Sequence, residues 1–401
     1  MQADTDNAMN CFAALMTGQG TGAISTIQLF GNSAEAVIKK VFKPTGTKPL
    51  EFNTGQIHLG SICDDTEVID QIIIGCEGPD TFAINCHGNP LIVEMIMQLL
   101  GQQGASLVTA EQLLTKTLSA QEPNNTIVVE AKLAQAGAKT LEGTKIIANQ
   151  IHAGLGKKAR GWLENIDEIS LDTIKTEAAR ILQKSQAAKL IIYGCTAVLT
   201  GPPNSGKSTL LNCLAGRQKA IVTNIEGTTR DWISAGCQIG SLSIELIDTA
   251  GLDEKLQNHQ ENIELSAQQK TIEILEGADI VLLVLDASRS IEEFDDKITK
   301  RYEGKKVITV LNKSDLPAKL DTNQLPANLS NTVQISAKEG TGIKSLSENF
   351  FKTVGTADFD LREPVCFTCR QEKILKELTT AKSKQQATSI ITELLNGQIC
   401  V

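Results

Sequence analysis

The 401-residue sequence predicts a multidomain α/β-plus-α chain: a mainly parallel sheet with flanking helices, inserted in a helical domain and preceded by a small α+β domain. Three observations predict it. Short apolar runs broken by Gly and Pro fill residues 1–114. Residues 110–189 are rich in Ala, Leu, Gln, Lys and Glu, with apolar positions at three- and four-residue steps. From about 190 to 354 apolar strand runs alternate with helical stretches, and helical composition returns from 358 onward.

In order along the chain, 1–114 contains strand-like runs at 23–29, 57–62, 67–74 and 81–86. A helix follows over 90–100, with Ile92, Met95, Ile96, Leu99 and Leu100 on its apolar face. The first helical part is 115–189, where Leu163, Ile166, Ile169, Leu171, Ile174 and Ala178 mark the buried stripe. Lys157, Lys158 and Arg160 form its one compact basic cluster, read as a solvated helix face or loop in preference to an RNA contact. The α/β domain spans 190–355, with strands at 195–200, 242–247, 307–311 and 332–335; the second helical part is 356–401. No internal repeat or low-complexity tract interrupts this order.

Composition narrows the function classes. Apolar residues make up 41 % and charged residues 21 %, ordinary for a globular protein. A net charge of −9 argues against a dedicated nucleic-acid coat, and 3 % aromatics against extended base-stacking platforms. The N-terminus, MQADTDNAMN, lacks the basic lead and apolar core of a secretory signal, and no apolar run approaches the roughly 20 residues of a membrane span. A cytoplasmic chain without a membrane segment is expected, its ten cysteines mostly reduced. Cys366-Phe-Thr-Cys369 is a lone CxxC with no second pair and no nearby His, read as two small residues near a helix start.

The chemistry sits in four short motifs. Gly201-Pro-Pro-Asn-Ser-Gly-Lys207-Ser208, between a strand and the opening of a helix, fits a phosphate loop (P-loop). Its glycines let Asn204, Ser205, Gly206, Lys207, Ser208 and Thr209 wrap backbone N–H groups around phosphates at a helix N-terminus. Lys207 is expected on the β- and γ-phosphates and the Ser208 hydroxyl on Mg2+. Asp248-Thr-Ala-Gly251 follows the apolar run 242–247; Asp248 can hold Mg2+ through water and the Gly251 N–H can sense the γ-phosphate.

Asn312-Lys-Ser-Asp315 settles the base. The Asp315 carboxylate accepts from guanine N1–H and its exocyclic amine, whereas adenine would leave it unpaired. Lys313 can lie over the ring, and Asn312 can tie this loop to the P-loop. Ser336-Ala337-Lys338, after another strand, would present a backbone N–H to the guanine oxygen. The four motifs in this order predict a P-loop GTPase domain that converts GTP and water to GDP and phosphate. Between the first two lies VTNIEGTTRD, where GTPases carry their first switch, with Thr223, Ile225, Gly227, Thr228 and Thr229. Leu252 stands where many small GTPases place a water-orienting Gln, so water and the β–γ bridge need other help. The Asn204 side chain can ligate a monovalent cation there, or it can only shape the loop; the residues alone leave both open.

The segments GPPNSGKSTLLN, IVTNIEGTTRDW, IDTAGL, LNKSD and ISAKEGTGI resemble the tRNA-modification GTPase family, MnmE or TrmE. GTGAISTIQLFG and DTFAINCHGNPLIVEMIMQLL resemble its folate-binding dimerisation domain. The resemblance implies a potassium-stimulated GTPase whose G domains pair across the switches. On that pattern K+ is held by Asn204, Thr228 and the carbonyls of Thr223 and Ile225, and Thr229 joins Ser208 on Mg2+. Asn204, Lys207 and Thr229 are then the catalytic set, with a water-positioning glutamate near Gln260 or Glu261, taken as Glu261. Implied too are a homodimer, a flavin-dependent partner protein, tRNA modified at the wobble uridine (U34), and a folate of the formyl-tetrahydrofolate type. Three departures define the alternative. The chain ends Gln398-Ile-Cys-Val401 where the family ends Cys-Ile-Gly-Lys; Gln28 replaces an arginine; and segments at Gly78–Asp80 and after the first domain are shortened. A divergent regulatory or scaffold GTPase that has lost folate-dependent modification fits them.

Overall fold

The computed structural model describes residues 10–18, 20–46, 50–217, 233–248, 273–290 and 302–399. The chain forms two compact units, Met1–Val129 with Gln398–Val401, and Glu130–Gly397.

In the first unit seven strands make one sheet. They are β1 (Phe12–Leu15), β2 (Ile24–Phe30), β3 (Phe42–Pro44), β4 (Ile57–Asp64), β5 (Glu67–Gly78), β6 (Thr81–His87) and β7 (Ser106–Leu107), in spatial order β3-β4-β5-β6-β2-β1-β7. All neighbours are antiparallel except β1 and β7. Alternation sets the faces: Ile27 and Leu29 of β2, Ile72 and Ile74 of β5, and Phe82 and Ile84 of β6 are buried. They join Val37 and Ile38 of α1 (Ala34–Val41) and Ile96 and Leu100 of α2 (Pro90–Gln102) in one core. Asn89 starts α2, its side chain accepting the Leu91 N–H at 2.9 Å with Pro90 at the first turn. A Thr109–Gln112 capping box starts α3 (Ala110–Gln121).

The second unit joins helices to a six-stranded sheet. Helix α4 (Thr126–Gly137) runs into it, followed by α5 (Leu141–His152), α6 (Leu155–Glu164) and α7 (Leu171–Tyr193). After the sheet come α10 (Cys369–Thr379) and α11 (Lys384–Asn396). Helix α7 packs on α5 and α10, and α11 packs on α6 and α10, so helices from both sides of the sheet segment share one bundle. Buried polar groups join them. Tyr193 Oη donates to Phe367 O (2.6 Å), Cys366 N–H to Ser185 Oγ (2.8 Å), and Val365 N–H to Gln150 Oε1 (3.0 Å). Glu130, nearly fully buried, takes both Arg370 Nε (2.9 Å) and Arg370 Nη2 (3.0 Å), with Thr368 Oγ1 and Gln371 Nε2 completing its shell. Two members of the basic cluster are engaged in packing: Lys158 pairs with Glu177 at 2.6 Å, and Arg160 donates to Ile151 O at 3.1 Å.

The sheet contains β8 (Cys195–Thr200), β9 (Ile233–Ile239), β10 (Leu242–Asp248), β11 (Ile280–Asp286), β12 (Val307–Asn312) and β13 (Thr332–Gln334), ordered β13-β12-β11-β8-β10-β9. It is parallel except for the β9–β10 hairpin at one edge. Helix α8 (Lys207–Arg217) leaves the end of β8, and α9 (Ile343–Val354) packs on β12 and β13. Residues 280–285 of β11 are all buried, which is why that strand reads as an unbroken apolar run. Among the described residues no helix is long and apolar enough to cross a membrane.

Candidate nucleotide site

The site lies at the carboxyl ends of the parallel strands, around the loop from β8 to α8, where such sheets place their ligands. Two glycines let the loop fit. Gly201 has φ 137°, and a Cβ there would sit 2.1 Å from Val284 O. Gly206 has φ 95°, and its Cβ would sit 2.3 Å from Asn312 Nδ2. Lys207, buried, donates to Gly201 O at 2.7 Å and Pro202 O at 3.2 Å, folding its ammonium back over the loop. Ser208 and Thr209 open α8, whose N-terminal N–H groups favour an anion.

Ser208 Oγ donates to Asp248 Oδ2 at 2.7 Å, joining the P-loop to the end of β10. A hydroxyl and a nearly buried carboxylate so close form an oxygen donor set suited to Mg2+. Ser205 is 1 % exposed, and its Oγ has no hydrogen-bond partner among the described residues.

The base side is tied to the phosphate side by Asn312. Its Nδ2 donates to Ser205 O at 2.9 Å, and its Oδ1 accepts the Ala337 N–H at 2.9 Å. Lys313 Nζ donates to Asn204 O at 2.8 Å and to Asp286 Oδ2 at 2.7 Å. Asp315 is exposed; a hydrogen bond from Ser336, then its own backbone N–H, hold its carboxyl below the usual range, with Lys338 and Lys313 adding to the effect. It therefore stays an ionised acceptor. Ser336 is fully buried and shapes its own loop, its Oγ accepting the Glu339 N–H at 3.2 Å. Lys338 is exposed.

These contacts bring together Asn204, Ser205, Gly206, Lys207, Ser208, Asp248, Asn312, Lys313, Asp315, Ser336 and Ala337. Thr223, Ile225, Gly227, Thr228, Thr229, Gly251, Leu252, Gln260, Glu261 and Cys400 lie outside the described residues. Asp286, which belongs to none of the four motifs, is a further member. Burial pushes its carboxyl up, but the Lys313 and Ser288 hydrogen bonds outweigh that and bring it below its ordinary value. Its signal in the sequence was only an Asp ending an apolar strand.

In the first unit, two of the departures meet. Gln28 and the corner Gly78-Pro79-Asp80 line one cavity of about 360 Å3, walled by Phe30, Leu114 and Leu118. Gln28 Nε2 donates to Glu77 Oε2 at 2.6 Å. The charged groups of this described lining, Glu77 and Asp80, are both acidic. A folate carries carboxylates of its own, and this lining does not fit an anionic tail.

Fold and site together define a P-loop GTPase, a GTP-hydrolysing enzyme of the Mg2+-dependent kind. Residues 196–313 match the family described as 50S ribosome-binding GTPase, and residues 11–112 the family described as GTP-binding protein TrmE N-terminus. The tRNA modification GTPase MnmE of Thermoanaerobacter sp. (strain X514) is 31 % identical over 388 residues, 88 % of this chain and 83 % of that protein. MnmE of Bacillus subtilis (strain 168) is 31 % identical, over 85 % of this chain and 81 % of its own length. The chain belongs to the tRNA modification GTPase MnmE (TrmE) family.

Proposed function

We propose that this chain is a potassium-stimulated GTPase whose G domains pair, and that it serves modification of the tRNA wobble uridine (U34) with a flavin-dependent partner protein in the cytoplasm. The observation that carries the cation reading is Asn204. It is exposed, it sits at φ 61° in the loop, and no described residue engages its side-chain amide. That side chain is available to ligate K+, together with Thr228 and the carbonyls of Thr223 and Ile225. K+, when bound, supplies positive charge near the β–γ bridge. Lys207 exchanges its loop carbonyls for the β- and γ-phosphates. Ser208, with Thr229, would hold Mg2+, which would supply charge neutralisation at the phosphates, and Asp248 at the end of β10 would support it. Gly251 offers its N–H to the γ-phosphate, and Glu261 orients water in place of Leu252. Asn312, Lys313, Asp315, Ser336, Ala337 and Lys338 bind guanine. The reading also keeps 1–114 as a dimerisation domain, 190–355 as the GTPase domain, and 115–189 with 356–401 as one helical domain.

Hydrolysis rates in K+ and Na+ at equal ionic strength test it. A rate at least about tenfold higher in K+ is expected, corresponding to about 1.4 kcal/mol of barrier. Equal rates remove the cation from the mechanism.

The acidic cavity around Gln28 favours a second reading, a regulatory or scaffold GTPase without folate chemistry. Titration of the purified protein with 5-formyl-tetrahydrofolate separates the two. No saturable binding is expected on the second reading, and saturable binding returns the protein to folate-dependent modification.

A further inference from the structure

Asp286 ends β11 beside Asn312 of β12, its partner in the parallel register. Both carboxylate oxygens are committed. Oδ1 accepts the Ser288 N–H at 2.9 Å and Ser288 Oγ at 2.6 Å, while Oδ2 accepts Lys313 Nζ at 2.7 Å. The same ammonium donates to Asn204 O at 2.8 Å. One cation thus links a nearly buried carboxylate to a P-loop carbonyl.

Lys313, whose ammonium makes that link, and Asn204, whose carbonyl receives it, share an uncommon backbone. Asn204 has φ 61° and Lys313 has φ 64°; the other non-glycine residues at positive φ among those described are Asp65 and Asp358. Such conformations persist where their surroundings over-determine them. Holding the Asn204 carbonyl holds the peptide plane that follows Asn204, and with it the direction in which its side chain leaves the loop.

We infer that Asp286 is a positioning residue of the GTPase site. Through Lys313 it clamps the left-handed backbone of Asn204, coupling guanine recognition to the conformation of the phosphate loop. Whether the clamp also tunes a cation bound by Asn204 rests on the potassium reading above; its effect on nucleotide affinity does not.

The negative charge distinguishes this role from a turn-forming one. The Ser288 contacts need only an acceptor, and an Asn side chain supplies it. Two described cations face the charge, Lys313 and, at 3.6 Å, Arg289, which is 59 % exposed and screened by water. Asp286→Asn therefore removes what Lys313 uses and leaves the turn.

The test uses the full chain and a fluorescent GDP. Asp286→Asn is expected to melt within about 3 °C of the wild type and to bind GDP roughly tenfold more weakly. Combined with Lys313→Ala it is expected to add little to that variant's own loss, because both break one link. Ser288→Ala, which loosens the same turn but keeps the charge, is expected to shift Tm alone. In hydrolysis assays Asp286→Asn is expected to need severalfold more K+ for half-maximal rate. Wild-type GDP affinity in Asp286→Asn, losses that multiply in the double variant, or an equal loss in Ser288→Ala would each overturn the inference. If the wild type hydrolyses GTP equally in K+ and Na+, the cation reading fails alone, and the GDP titrations still decide the role of Asp286.

Discussion

On the proposed reading Asp315 carries the base choice, and its setting would let the choice be reversed. Its carboxyl is held ionised by Ser336 and its own backbone, and its side chain is open to a ligand. Asp315→Asn replaces one acceptor oxygen with a donor NH2, which opposes the guanine amine and matches the xanthine carbonyl. Guanine nucleotide affinity is expected to fall roughly ten- to a hundredfold, from about 1–3 kcal/mol of unmatched polar contact, and xanthine nucleotide affinity to rise. Competition binding with GDP and XDP checks it; unchanged guanine preference would place the base elsewhere. Contiguity made this chemistry readable. Phosphate-loop residues are neighbours in the chain, and each motif implies its ligand by residue type alone. Asp286 was not readable, because an Asp ending an apolar strand resembles many others until β12 brings Lys313 beside it, 27 residues later.

Among the elements, several strands and helices were legible in the sequence and others were not. The strand expected at 57–62 is found as Ile57–Asp64, the helix at 90–100 as Pro90–Gln102, and the strand at 195–200 as Cys195–Thr200. Helix α1 repeats its buried positions at Ala34, Val37, Ile38 and Val41 but is only eight residues long, and β1, reading FAAL, is too short to alternate, so neither stands out before the sheet assembles around them. Cys366 and Cys369 share a CxxC spacing but not a setting. Cys366 is fully buried, its thiol pushed up by that burial, while Cys369 is exposed as the first residue of α10. No group of three or more His, Cys, Asp or Glu side chains suited to a metal occurs among the described residues. At the α7–α10 contact, hydrogen bonds from Lys189 and Lys376 bring the Glu372 carboxyl from 4.5 down to about 2. A lowered folded-state value stabilises above the unfolded one, and the contribution fades as pH falls from 4.5 toward 2. Because Glu372 is 31 % exposed, screening leaves about 1 kcal/mol or less. Glu372→Gln should therefore lower the urea midpoint slightly at pH 7, with the gap to wild type closing below about pH 4.5. A gap independent of pH would assign the effect to packing.

At the scale of the whole molecule, the wobble-uridine reading predicts a cellular outcome. Deleting the gene in its host should leave U34 unmodified in a subset of tRNAs, measured by mass spectrometry of digested tRNA. An unchanged nucleoside profile would favour the scaffold reading, which the Gln28–Glu77 contact already motivates. From the sequence alone came the nucleotide, the reaction class and the order of α+β, helical and sheet segments, because base choice and phosphate binding reside in short contiguous motifs and burial leaves a periodic trace. Tertiary structure alone decided which distant residues meet. Helices preceding and following the sheet segment close into one bundle around Glu130 and Arg370; Gln28 and Asp80 line one cavity; and Asp286, Lys313 and Asn204 form one clamp. Those contacts follow from strand order and helix packing, which join residues far apart in the chain and leave no local pattern behind.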